Sequence, residues 1–165
     1  MNKDFILEIF YSTKGDIDAI NAALDEKLKL NLVRKISVFE KFVTSRLAMD
    51  PKILKMPHME ITPEETIYLS LYPPLRELEV LDLRLNRIGD TGAAAVAVSP
   101  VLLNLRELDL RSNRIAREGI QSLMESRNFA NLRKLDLRGN KAGRAWEEKI
   151  FNSGNFPRLE ELRIV

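Results

Sequence analysis

Two stretches decide the fold: LRELDLRSNRI, residues 105–115, and LRKLDLRGNKA, residues 132–142. They are one phrase written twice, 27 residues apart. A third copy, LEVLDLRLNRI, occupies residues 78–88, again 27 residues away, and a truncated fourth, LEELRIV, occupies residues 159–165. No insertion or deletion disturbs the interval. The leucine-type positions are Leu78, Leu81 and Leu83; Leu105, Leu108 and Leu110; Leu132, Leu135 and Leu137; Leu159, Leu162 and Ile164.

The spacing has a mechanical meaning. In each Leu-Asp-Leu core the side chains alternate in, out, in, as in a short strand with one buried face. After the Asn at 86, 113 and 140 the apolar period lengthens, through Ile88, Val96 and Leu102, then Ile115, Ile120, Leu123 and Phe129. Gly92 and Gly119 fall just ahead of the helical segments so predicted. Each unit therefore reads as strand, turn and helix, and it cannot bury its apolar face alone. Leu75, Leu102, Phe129 and Phe156 form a further apolar column between each helix and the next strand.

Period and motif together resemble the leucine-rich repeat, L-x-x-L-x-L-x-x-N-x-L. The unit length and the run NRIGDTGAAAVA, residues 86–97, are most similar to its ribonuclease-inhibitor-like class. The resemblance implies an α/β fold: a leucine-rich repeat solenoid, a curved right-handed β/α superhelix with a parallel inner sheet and outer helices. It covers residues 78–165 as three regular 27-residue repeats plus a terminal strand. Residues 51–77, PKILKMPHMEITPEETIYLSL and the six that follow, form a degenerate repeat with Leu54, Met56, Ile61 and Leu69 in phase. Thr62 and Glu65 make a capping box there, with Pro63 at the first helical position. In the third regular repeat Ala142 replaces the Ile and Trp146 the Gly, which we read as a packing adjustment.

Residues 1–50 read as degenerate repeats or as a helical cap. Asp16 can N-cap a helix carrying Ile17, Ile20, Leu24 and Leu28. A second stripe is Leu32, Ile36, Phe39, Val43 and Leu47, and strands are expected near Phe5–Phe10 and Leu28–Leu32. Residues 1–70 hold eight Lys and two Arg, residues 71–165 three Lys and thirteen Arg, so composition shifts between Asp50 and Pro74.

The formal charge of +2 points to neither nucleic acid nor membrane. With no cysteine there are no disulfides, thiolate metal sites or thiol nucleophiles, which suits a cytoplasmic setting. FILEIFY, residues 5–11, is too short and too interrupted for a signal peptide. His58 is the single histidine, so no Ser-His-Asp set beyond it exists, and we expect no catalytic residue, cofactor or metal. The pairs Asp16 with Asp18 and Glu147 with Glu148 read as helix-start charges.

Function is then expected on the strands. The resemblance places them on a concave face, with Val80, Asp82 and Arg84; Glu107, Asp109 and Arg111; Lys134, Asp136 and Arg138; and Glu161 and Arg163 pointing outward. The expected protein-binding residues are Asp82, Arg84, Asp109, Arg111, Asp136 and Arg138. Their alternative reading is a solvated, mutually neutralised surface. Arg87, Arg114 and Lys141 add a basic rim, read first as a solvated edge. Asn86, Asn113 and Asn140 are implied by the family to tie down the turns. The expectation is a non-enzymatic protein–protein interaction module or scaffold. Its alternatives are a small-GTPase-activating regulator acting through the Arg84–Arg87 or Arg111–Arg114 rim, and a structural piece of a longer array. The terminal strand, with no cap following it, further suggests a homodimer.

Overall fold

The computed structural model describes residues 33–165, with side chains from Ile36 onward. The Asp16-capped helix and the strands near Phe5–Phe10 and Leu28–Leu32 lie outside the described residues. The chain divides into two compact units, Met1–Ser45 and Arg46–Val165. Helix α1 spans Val33–Leu47, and its Phe39 and Val43, members of the expected stripe, are buried.

The second unit alternates strand and helix: β1 (Ile53–Lys55), α2 (Pro63–Leu71), β2 (Val80–Asp82), α3 (Gly89–Ala97), β3 (Glu107–Asp109), α4 (Arg117–Glu125), β4 (Lys134–Asp136), α5 (Ala145–Asn152) and β5 (Glu161–Arg163). The five strands form one parallel sheet in sequence order. The 27-residue period is its register: Leu54 faces Leu81, then Leu108, Leu135 and Leu162. This is an α/β solenoid with leucine-rich repeats.

Burial follows the phase. Leu78, Leu81, Leu83, Leu105, Leu108, Leu110, Leu132, Leu135 and Leu137 are all buried, as are Leu54, Met56, Ile61 and Leu69 of the first repeat. A fully buried leucine stabilises by about 1.5–3 kcal/mol, so a column of them sets the stack. Leu75, Leu102, Phe129 and Phe156 also line up inside, and the rings of Phe129 and Phe156 stack at 5.9 Å between centroids. Leu162 is half-buried, because among the described residues β5 has a neighbouring strand on one side only.

Two details differ from the sequence reading. Gly92 and Gly119 lie inside α3 and α4 rather than ahead of them. A Cβ on Gly119 would sit 2.6 Å from Asp90 Oδ1 and 2.9 Å from the Asp90 Cα, so these glycines let each helix approach the one before it. Where Trp146 replaces the glycine, α5 touches α4 at few residues, and the indole is half-buried with Lys149 Nζ 4.9 Å from its ring centre. The second difference is a column of left-handed residues just past the strands: His58, Leu85, Ser112 and Gly139, with φ of 57°, 60°, 53° and 71°. One turn shape is imposed on four residue types, and a single position has the glycine that adopts it freely.

No helix among the described residues is long and apolar enough to cross a membrane.

Candidate functional site

The outward face of the sheet is a groove of about 310 Å³ running over all five strands. Strands supply its side chains in columns, since each residue sits beside its equivalent 27 positions on. Ile53 and Val80 open one column, which continues with Glu107, Lys134 and Glu161. Lys134 Nζ lies 2.9 Å from Glu107 Oε1, and that hydrogen bond raises the Lys134 pKa above its usual value.

The second column is Lys55, Asp82, Asp109, Asp136 and Arg163. Each aspartate does two things. Its Oδ1 accepts the backbone N–H two residues on, from Arg84, Arg111 and Arg138 at 3.1, 3.1 and 3.2 Å, which fixes the exit from the strand. It also holds the arginine side chain. Arg111 grips Asp109 with a fork, Nε to Oδ1 at 3.0 Å and Nη2 to Oδ2 at 2.6 Å. Arg138 grips Asp136 in the same way, at 3.1 and 2.7 Å. Arg84 Nε stays 3.7 Å from Asp82 Oδ2, an ion pair without a hydrogen bond.

Between rungs, Arg111 Nε also lies 3.5 Å from Asp136 Oδ2. Its pKa is raised, chiefly by the Asp109 hydrogen bond. Rungs about 4.8 Å apart would otherwise stack like charges. Arg111 lies against both Asp109 and Asp136 and so offsets the like charges of those two neighbouring rungs. The aspartates are largely covered; Asp82 is 8 % exposed. The arginine side chains stay accessible, at 41 % for Arg84, 30 % for Arg111 and 35 % for Arg138. The face therefore exposes the outer edges of the guanidiniums, already oriented by their carboxylates, rather than free aspartates.

The Asn column runs behind this face. Asn86 Oδ1 accepts the Met59 and Ile61 N–H groups at 2.9 and 3.1 Å, and its Nδ2 donates to the Met56 and Leu83 carbonyls. Asn113 Oδ1 accepts the Asn86 N–H at 3.2 Å, and Asn140 Oδ1 accepts the Asn113 N–H at 2.8 Å. Asn113 Nδ2 donates to the Leu83 carbonyl and Asn140 Nδ2 to that of Leu110, so each amide joins consecutive repeats.

At the basic rim Arg87 Nη2 bonds Glu60 Oε1 at 2.6 Å, while Arg114 and Lys141 are exposed. His58 lies on the same edge, its N–H donating to the Arg84 carbonyl at 3.2 Å. Among the described residues no group of three or more His, Cys, Asp or Glu is placed to hold a metal ion.

Sequence reasoning missed a set of contacts on the helix side. Ser99 Oγ donates to the Ser70 carbonyl at 2.6 Å, and its equivalent Ser126 donates to the Ala97 carbonyl at 2.5 Å. The signal was present, because Ser99, Ser126 and Ser153 recur at the same interval of 27.

Residues 76–97 and 101–124 match the family model described as Leucine Rich repeat. No curated protein matches the sequence. Among solved structures the chain is similar to "Leiomodin-1 Actin-Binding Site 2 (ABS2)", at 20 % identity and a TM-score of 0.63 over 76 % of this chain and 78 % of that one. At that identity the likeness is one of fold.

Proposed function

Because this chain is a leucine-rich repeat protein, we propose that it is a non-enzymatic interaction module that binds a partner protein through its concave face. Asp82, Arg84, Asp109, Arg111, Asp136 and Arg138 form the contact surface, the arginines directly and the aspartates by aiming them. The observation that carries this reading is the pair of bidentate forks at Arg111 and Arg138. Such forks hold a guanidinium in one plane, so little conformational freedom remains to be lost when a partner carboxylate or carbonyl docks. The solenoid supplies a rigid backing for the row. A protein without cysteine suits the cytoplasm, where we place it.

The test is affinity capture from the native cell, followed by binding measurements with the purified partner. The double replacement Arg111→Glu and Arg138→Glu should weaken binding at least tenfold, on the order of 1.4 kcal/mol. The thermal midpoint of the variant should stay within a few degrees of wild type. Wild-type affinity in a folded double variant would remove the binding site from this face. The likeness in fold to an actin-binding site of leiomodin-1 makes actin a reasonable purified test partner alongside captured proteins. We also propose that two copies associate through the open side of β5.

A further inference from the structure

On the opposite edge of the sheet, where the strands begin, a second notch of about 370 Å³ is lined only by polar side chains. Four of them are cations, Lys52, Arg106, Arg133 and Arg158, and two are carboxylates, Glu77 and Glu79. The charges are not evenly matched. Glu79 is shared: Lys52 Nζ lies 2.8 Å from its Oε1 and Arg106 Nε 3.2 Å from its Oε2. On the next rung, Arg133 comes no nearer than 3.7 Å to a carboxylate among the described residues, at Glu160. Arg158 donates to the neutral Asn131 Oδ1 at 3.0 Å. The Arg133 backbone N–H donates to the Arg106 backbone carbonyl at 2.8 Å, so these two arginines stand on adjoining rungs. Three exposed guanidiniums thus line one notch, with most of their donors unused among the described residues.

We infer that this edge is a second recognition surface, which takes an acidic segment of a protein through Arg106, Arg133 and Arg158. Arginine forks match carboxylate geometry. The lining has no apolar patch to receive a helix and no aromatic ring on which a base could stack, which separates an acidic peptide from a single-stranded nucleic acid. Glu79 acts as a mild internal competitor, since it occupies one edge of Arg106. The surface is independent of the concave-face reading, because none of its side chains belongs to the Asp and Arg columns described above.

Fluorescence anisotropy with a labelled Glu/Asp-Ser repeat peptide at low ionic strength tests it. Replacing Arg106, Arg133 and Arg158 together by Ala should weaken binding by roughly tenfold or more, at a few-fold for each exposed pair. Glu79→Gln should tighten it about two- to threefold by freeing Arg106. The double Arg111→Gln, Arg138→Gln variant, on the concave face, should leave it unchanged. A triple Arg→Lys variant, which keeps the charge and the fold, should bind more weakly than wild type because the forks are gone. The proposal is overturned by undetectable peptide binding, by wild-type affinity in either triple variant, or by a loss that follows the concave-face variant. Tighter binding of an oligouridylate of equal charge would also overturn it.

Discussion

At the scale of single residues, the molecule depends on polar side chains that serve the backbone. Asn113 is fully buried and satisfies the Asn86 N–H and the Leu83 carbonyl. Asn113→Ala leaves the buried Asn86 N–H without a partner, while the Leu83 carbonyl keeps its hydrogen bond from Asn86 Nδ2, and one such orphaned group costs about 1–3 kcal/mol. We predict a loss on the order of 1–3 kcal/mol in urea unfolding. A loss below about 1 kcal/mol would mean that water replaces the amide. Glu79 offers a milder reading. The hydrogen bond from Lys52, aided by the charges of Arg106 and Lys52 and opposed by desolvation, lowers its pKa below the usual carboxylate value. The folded pKa lies under the unfolded one, so the associated stability is present above the unfolded pKa of about 4.3 and fades as pH falls through the folded value. NMR titration should find the Glu79 midpoint below the ordinary glutamate range. Lys52→Met should raise that midpoint, and an unmoved midpoint would show that the pair does not persist in solution.

At the scale of elements, helices begin by different routes. The start of α2 is written locally, since Thr62 and Glu65 form the reciprocal box and Pro63 opens the helix. That start was legible because every participant lies within four residues. The start of α4 is not. Its N-cap, Ala116, has no side-chain acceptor, and Asp90 of α3 reaches across to accept the Ala116 and Gly119 N–H groups at 2.6 and 3.1 Å. Negative charge at a helix N-terminus is favourable as well. We predict that Asp90→Ala destabilises by about 1–2 kcal/mol, whereas Asp90→Asn, which caps nearly as well, costs a few tenths. Equal effects from the two would show that the charge, and not the hydrogen bonding, matters. Gly119 belongs to the same joint: a Cβ would press on the Asp90 backbone, which cannot swing aside as a flexible side chain could.

At the scale of the whole molecule, stability is passed from repeat to repeat. Asn, Ser and Asp side chains each reach from one unit to its neighbour, and the leucines fill the space between. β5 breaks this pattern, since its outer backbone groups pair with no strand among the described residues and Leu162 is half-buried where Leu135 is buried. Unpaired strand edges are templates for association. The proposed dimer predicts a concentration-dependent rise in mass by light scattering, abolished by Leu162→Pro, which removes a ladder donor and an apolar contact. A constant monomer mass across the millimolar range would dismiss it.

The sequence by itself determined the repeat. Leucines at constant phase, with no insertion between copies, admit one stacking register, because slipping by a residue would turn every buried leucine outward. The columns of Asp, Arg and Asn could be listed from the same spacing. Tertiary structure decided what each column does. Whether Arg111 would face a partner or Asp109 depended on side-chain geometry that a pattern does not encode, and the same holds for its reach to Asp136. The role of Asp90 exists only with α4 beside it, since the N–H groups it accepts belong to Ala116 and Gly119. Gly119 looked like punctuation until the closeness of two helices gave it a purpose. In each case the deciding contact is set by how the chain is wound, and a distance of that kind exists only once the repeats have stacked.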